Sequence, residues 1–181
     1  GLARLMESGT LKRLDVEGCN VSDASDYDVT TMQEALQTHQ TGLQEVFVRE
    51  QMSSRPLGSL LSGLVGSPTL QRVHLESCEI TKSNMWVFAQ LLDRTPNLKR
   101  MDDRPEEITT SMLESLAATL QGTSRLECLE LSGSGLRAKH VGALVKVIAK
   151  LPHLLELHLR SNLLGEKGLH DICQVLYHHP S

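Results

Sequence analysis

Hydrophobic residues return at a fixed spacing along this chain. A short segment with apolar residues at offsets 0, 3 and 5, with one exception, starts at Leu11, Leu43, Leu70, Leu98, Leu126 and Leu154. These starts are 32, 27, 28, 28 and 28 residues apart, and offsets are counted from them throughout. A period kept over five intervals indicates a repeat architecture. The pattern predicts about six copies of one structural unit, preceded by a partial repeat that contains Leu2 and Leu5.

Each repeat combines two hydrophobic periods. Its first residues alternate between apolar and polar, as in a strand with one buried face. From offset 14 the spacing changes to three and four, as in Met85, Phe88 and Leu92, which is typical of a helix. Capping boxes beginning at Thr31 and Ser111 predict two helix starts. Prolines in the turns after the helices end the helical pattern at Pro68, Pro96, Pro152 and Pro180.

A repeated order of strand, turn, helix and turn predicts an α/β solenoid. Consecutive strands must run parallel, with every helix on the same side of the sheet. We expect a right-handed horseshoe arc with parallel strands on its concave side and helices on its convex side. The exception is Asp103 at offset 5 of the fourth repeat, so we expect a disturbed strand there, with this carboxylate hydrated or hydrogen-bonded.

The repeats resemble the leucine-rich repeat family through the motif L-x-x-L-x-L-x-x-N/C-x-L. The motif is matched from Leu154 with Asn162, from Leu11 with Cys19 and from Leu70 with Cys78. The 28-residue period with a full helix is similar to the ribonuclease-inhibitor subclass. The resemblance implies that the Asn or Cys at offset 8 bonds backbone inside the turn. The other repeats have Gln51, Glu106 and Ser134 at this offset.

We predict a single repeat domain over residues 1–181 that is a fragment of a longer array, because neither end shows a polar capping unit. Its uncapped ends suggest self-association as one alternative. A net charge of −4 and 3% aromatic residues argue against nucleic-acid binding. No apolar run approaches the roughly 20 residues of a membrane span, so we expect no membrane insertion. Four widely spaced cysteines favour reduced thiols and a cytoplasmic, intracellular location.

Three local patterns suggest chemistry and are interpreted as structural. The G-x-G-x-x-A sequence from Gly133 to Ala138 lies where every repeat turns from strand to helix, which argues against a nucleotide site. The carboxylates between Ser22 and Asp28 lack the spacing of a calcium loop. His74 and His158 lie three strands apart, too far for a common zinc ion, so we expect no metal site and no cofactor. The common hydrolase and phosphate-binding signatures do not occur, so we expect no enzymatic activity.

The residues at offsets 2, 4 and 6 alternate with the buried ones and should share the concave surface. We predict that a partner protein binds there, through Arg13, Asp15, Phe47, Arg49, Arg72, His74, Glu76, Arg100, Asp102, Arg104, Glu130, Glu156, His158 and Arg160. Two interpretations stay open. The charges could form a self-neutralising ladder of lateral ion pairs. They could instead form a docking surface in which the arginines and an exposed Phe47 act as anchors.

The predicted function is that of a non-enzymatic protein-protein interaction module or scaffold. The resemblance implies roles that include enzyme inhibition, ligand sensing in NOD-like immune receptors, scaffolding of actin regulators and activation of the small GTPase Ran. One alternative is therefore activation of a small GTPase, with Arg104 and Arg160 as the available arginines. Another is a structural spacer that associates through its ends.

Overall fold

Six parallel strands form one sheet in the part of the chain that the structure describes. The structure is a computed structural model, and it describes residues 11–17, 25–38, 42–104 and 108–179. The strand order follows the sequence, from the first strand to the sixth. The strands are β1 (Arg13–Val16), β2 (Glu45–Met52), β3 (Arg72–Cys78), β4 (Arg100–Arg104), β5 (Cys128–Glu130) and β6 (Glu156–His158). Each strand begins two residues after a repeat leucine, because that leucine still belongs to the incoming turn.

A helix follows each strand. The helices are α1 (Asp26–Thr38), α2 (Ser54–Leu64), α3 (Met85–Arg94), α4 (Thr110–Thr119), α5 (Val141–Ile148) and α6 (Gly165–Tyr177). Their apolar residues join the inward residues of the strands in one core, which includes Val46, Val73 and Met101 of the sheet. Parallel strands with alternating helices make an α/β leucine-rich repeat solenoid, so the predicted fold class is confirmed. No described helix is long and apolar enough to span a membrane.

The predicted helix starts are wrong by a few residues. Helix α1 begins at Asp26, five residues before the predicted cap at Thr31, whose hydroxyl donates to the Tyr27 carbonyl inside the helix. The start is held by Ser25, whose Oγ accepts from the Asp28 backbone N–H while Asp28 accepts from the Ser25 N–H. Helix α4 is capped by Thr109, which accepts from the Met112 N–H. In both helices a polar residue that precedes the predicted cap in the chain bonds the free backbone N–H groups of the first turn.

The residue at offset 8 has different roles in the turns of the last two repeats. In the last repeat the Asn162 amide donates to the Leu131 and Leu159 carbonyls, and its Oδ1 accepts from the Leu136 N–H. In the preceding repeat Ser134 is buried at this offset, and its hydroxyl has no hydrogen-bond partner. Asparagine therefore ties two repeats together where serine cannot reach.

Offset 7 of several repeats adopts a left-handed backbone conformation. Ser77 and Ser161 have φ values of 60° and 55°, and Gly133 at the same offset has 71°. The first glycine of the G-x-G-x-x-A sequence thus serves the turn that its neighbours make with serine. This observation supports the structural interpretation of that sequence.

Strand β4 keeps its register with β3 through Leu75–Asp103 and Glu76–Arg104. The disturbance expected at Asp103 is therefore absent from the backbone pairing of this strand with β3. The side chains of Asp103 and Arg104 lie outside the described residues. The offset-8 residues Cys19 and Glu106 also lie outside the described residues. The same is true of some of the carboxylates between Ser22 and Asp28 that were predicted not to bind calcium.

Candidate interaction face

The side of the sheet opposite the helices carries the predicted site residues. We call it the polar face and define it by the side chains at offsets 2, 4 and 6. The register places Asp15, Phe47, His74, Asp102, Glu130 and His158 in one lateral row across the six strands. A second row runs through Arg13, Glu45, Arg72, Arg100, Cys128 and Glu156. Side chains distant in sequence thus become lateral neighbours.

Phe47 is buried, so its prediction as an exposed anchor is wrong. Only 4% of the residue is exposed. The Arg13 guanidinium carbon lies 3.9 Å from the ring centroid, and those of Arg72 and Arg49 lie at 5.1 and 5.2 Å. The His74 ring covers another side, with its centroid 5.5 Å away. Long cationic side chains from its own strand and from the two neighbouring strands therefore shield the ring while their charged ends remain near solvent.

The same arginines are paired with carboxylates. Arg13 lies 3.0 Å from Asp15 and 3.8 Å from Glu45. Arg49 lies 3.7 Å from both Asp15 and Glu17. The lateral pairing between Glu17 and Arg49 is the kind that the ladder interpretation predicts. Because these side chains are at least a third exposed, each pair contributes at most about 1 kcal/mol.

Asp102 is a buried carboxylate between two arginines. It is 2% exposed and accepts from Arg72 Nε and Arg100 Nε, each at 2.8 Å. His74 Nδ1 lies 3.5 Å from the same carboxylate and Nε2 lies 3.6 Å from Glu76. Partial burial lowers the pKa of Arg100, but Asp102 and neighbouring groups outweigh burial, so this pKa is raised overall. Asp102 thus organises the centre of the face and is itself hidden from a partner.

A different group occupies the β5–β6 end of the polar face. His158 Nε2 lies 3.2 Å from Glu156 Oε2, and Nδ1 lies 3.7 Å from Glu130 Oε2. Burial and a hydrogen bond to Glu156 raise the pKa of the Cys128 thiol to about 11. Hydrogen bonds from His158 and Cys128 hold the pKa of Glu156 below its ordinary value. These four side chains therefore interact directly, although they belong to two strands.

The structure brings most of the predicted residues together and places Arg160 after the end of β6. Arg160 is exposed beyond β6, where its backbone N–H donates to Ser132 Oγ. The Arg104 side chain lies outside the described residues, so the arginines considered for GTPase activation form no described pair. Sequence reasoning left Cys128 out of the site. Its position at offset 2, beside Glu156 in the row, was the available signal.

Comparisons with known proteins agree with this architecture. A family model described as a leucine-rich repeat matches residues 150–173. The tropomodulin C-terminal domain of Caenorhabditis elegans superposes with a TM-score of 0.65 at 16% identity, covering 84% of this chain and 93% of that domain. This likeness shows a shared fold.

Two sequence relatives align with longer parts of this chain than the family model does. Ribonuclease inhibitor of Sus scrofa is 30% identical over 113 residues, which are 60% of this chain and 25% of the relative. NACHT, LRR and PYD domains-containing protein 12 of Mus musculus is 30% identical over 146 residues, which are 80% of this chain and 14% of the relative. The chain thus spans only a minor part of the length of these relatives. By its repeats, fold and relatives, the chain belongs to the leucine-rich repeat family and is ribonuclease-inhibitor-like.

Proposed function

We propose that this chain is a protein-protein interaction module whose polar face binds a partner protein. The observation that carries this proposal is a sheet face free of described helices, on which cations and anions are held in fixed positions. Solenoids offer such extended surfaces to their partners. No catalytic step is part of this function.

The arginines of the face are suited to recognition because they are ordered before a partner arrives. Arg13, Arg49 and Arg72 contact Phe47, and their side chains are 48%, 36% and 35% exposed. Stacking on a ring restricts their rotamers, which lowers the entropy lost on binding. Guanidinium groups retain donors beyond those used in one ion pair. We infer that the partner presents carboxylates or carbonyl oxygens to this part of the face.

The sequence relatives support a protein as the partner. Ribonuclease inhibitor, as its name says, acts on another protein. It is 30% identical to this chain over 113 residues. The names of these relatives support the class of partner only. The side chains of the polar face determine which protein this chain binds.

The proposal is tested by reversing charge on one side of the solenoid at a time. The face variant carries Arg13→Glu, Arg49→Glu and Arg160→Glu. The control carries Lys139→Glu, Lys146→Glu and Lys150→Glu, which changes three exposed lysines on the helical side and alters net charge equally. Thermal unfolding first establishes that both variants remain folded.

Affinity capture from a lysate of the source organism, read by quantitative mass spectrometry, compares the two variants with the native chain. We expect a protein retained by the native chain and the control and lost by the face variant. Hydrogen exchange of the purified pair should then show protection along β1 to β6. Equal capture by both variants, or protection confined to the helices, would contradict the proposal.

Exposed leucines in the last repeat favour a second mode of association. Leu155, Leu163 and Leu169 are 70%, 68% and 56% exposed, whereas Val141, at the offset of Leu169 in the preceding repeat, is 2% exposed. We propose self-association through this apolar surface as the second candidate. Sedimentation velocity over a wide range of concentration should show an increasing mass, and a constant monomer mass would contradict it.

A further inference from the structure

We propose that Cys128, Glu156 and His158 form an open binding site for a divalent transition metal of the zinc class. The thiol, one carboxylate oxygen and one imidazole nitrogen of these residues all lie within 4.8 Å of one another. This group lies on the polar face beside the Asp102 cluster, and Arg100 contacts both Asp102 and Glu156.

The sheet itself places these ligands. Cys128 is opposite Glu156, and Glu130 is opposite His158, in the parallel pairing of β5 with β6. Residues two apart on a strand point to the same side, so the four side chains form a compact patch. No loop has to close to assemble it. The backbone geometry is thus in place before a metal binds.

The ligand types match the chemistry of zinc. Thiolate, imidazole and carboxylate are its usual protein ligands, and three of them with one open position make an accessible site. His158 Nε2 and Glu156 Oε2 are 3.2 Å apart, close to the separation of two ligands in a tetrahedron around zinc. The other ligand separations lie within 4.8 Å and have to close to tetrahedral values, for which the exposed Glu156 side chain is free to rotate. Glu156 and His158 are 58% and 32% exposed in their side chains, so a metal and a water ligand can enter from solvent.

Glu130 contacts the metal ligand His158 without binding the metal itself. Its Oε2 lies 3.7 Å from His158 Nδ1, and its Oε1 accepts the Ser132 backbone N–H at 2.8 Å. Metal-bound histidines usually donate their other ring N–H to a carboxylate, which fixes the ring and strengthens it as a ligand. Glu130 is therefore a positioning residue for His158 and is not itself a ligand.

The local charge is compatible with a cation. The Cys128 thiol, whose pKa is about 11 in the free chain, loses its proton to solvent when it coordinates the metal. The resulting thiolate and the Glu156 carboxylate together neutralise a divalent ion. Arg100 lies 3.7 Å from Glu156 and shares Asp102 with Arg72, so Asp102 offsets part of its positive charge. Glu130 adds a negative charge beside His158. The prediction of no metal site rested on the distance between His74 and His158 and did not consider the neighbours of His158 on its own face.

The test uses cobalt, a spectroscopic substitute for zinc, with the complete chain free of any histidine tag. Titration with cobalt chloride under reducing conditions should give one equivalent of bound metal. A thiolate-to-cobalt charge-transfer band in the near ultraviolet and the visible bands of tetrahedral cobalt should appear together. Added zinc should displace the cobalt and remove both signals.

Three substitutions locate the site. Cys128→Ser should abolish the charge-transfer band, while Cys173→Ser, which changes an exposed thiol on α6, should leave it unchanged. Glu130→Gln should keep the band and weaken cobalt affinity by about 10- to 100-fold. Far-ultraviolet circular dichroism shows whether each variant is folded. Should Cys128→Ser be unfolded, His158→Gln replaces it, with loss of the tetrahedral bands as the expected result.

The proposal is overturned if the native chain gives no charge-transfer band or binds cobalt only at millimolar concentration, as adventitious binding would. It is also overturned if Cys128→Ser retains the band or if Cys173→Ser loses it. Unchanged affinity in Glu130→Gln would overturn the positioning role assigned to that residue.

Discussion

Two regions of the polar face belong to the same parallel sheet and differ in the charge of the side chains that surround their centres. In the β2–β4 region, cationic side chains surround a buried centre, either the Phe47 ring or the Asp102 carboxylate. In the β5–β6 region, the carboxylates Glu130 and Glu156 surround His158, beside the Cys128 thiol. The strand register is continuous from one region to the other.

The difference shows that covering side chains and the position of a strand in the sheet together determine burial on the polar face. Arg72 of β3 and Arg100 of β4 are long enough to cover Asp102, which is 2% exposed. In the β5–β6 region His158 lies on β6, the last strand of the described sheet, and 32% of its side chain is exposed. The first region should therefore matter for folding, whereas the second should be available for ligands. Substitutions in each region test this division.

The largest effect is expected when Asp102 loses both arginines. The variant with Arg72→Met and Arg100→Met keeps most of the apolar stems and leaves the buried carboxylate without its charged partners. We expect a decrease in unfolding free energy of about 3–5 kcal/mol, since an uncompensated buried charge is strongly destabilising. Urea unfolding followed by circular dichroism measures it.

Adding Asp102→Asn to the same variant is the control. Removal of the negative charge should restore a large part of the lost stability, because the penalty arises from the charge and not from the missing arginines. If the double methionine variant were as stable as the native chain, Asp102 would not be the organising centre of the β2–β4 region.

A smaller effect is expected at Phe47. Phe47→Leu keeps an apolar side chain and removes the ring that three guanidiniums contact. We expect a loss of about 1–2 kcal/mol, of which about 0.5–1 kcal/mol is coupled to Arg13 in a double-mutant cycle with Arg13→Met. Phe88→Leu, in the core of α3, is the matched control and should show no coupling to Arg13. Coupling of equal size at both positions would mean that the arginine does not act through the ring.

Much of the fold follows from the repeat because one period determines several features at once. The leucine spacing predicts the parallel order, and a constant period places equal offsets side by side, as with Arg72 and Arg100. The second repeat breaks the rule in its turn, where the register shifts between Arg49 and Met52. Buried Met52 pairs with Cys78 there, so the polar Gln51 does not take the turn position.

Burial on the polar face could not be predicted from the repeat. Alternation assigns Phe47 and Asp102 to the exposed side of their strands, and the structure buries both. Their covers come from long side chains on the same and on neighbouring strands, whose direction depends on the local ion pairs. The grouping of Cys128 with Glu156 and His158 was missed because each residue is ordinary within its own repeat. Only the lateral register makes them neighbours.

The smallest effect is expected at the two histidines that occupy equivalent offsets in the two regions. His158→Gln removes contacts between exposed or half-buried groups, and we expect a loss of stability below about 1 kcal/mol. His74→Gln should cost more, because its side chain is only 14% exposed and packs between Phe47 and Asp102. Urea unfolding of both variants in metal-free buffer measures the difference directly. If His158→Gln were the more destabilising substitution, the β5–β6 region would itself be needed for folding, and the division between the two regions would fail.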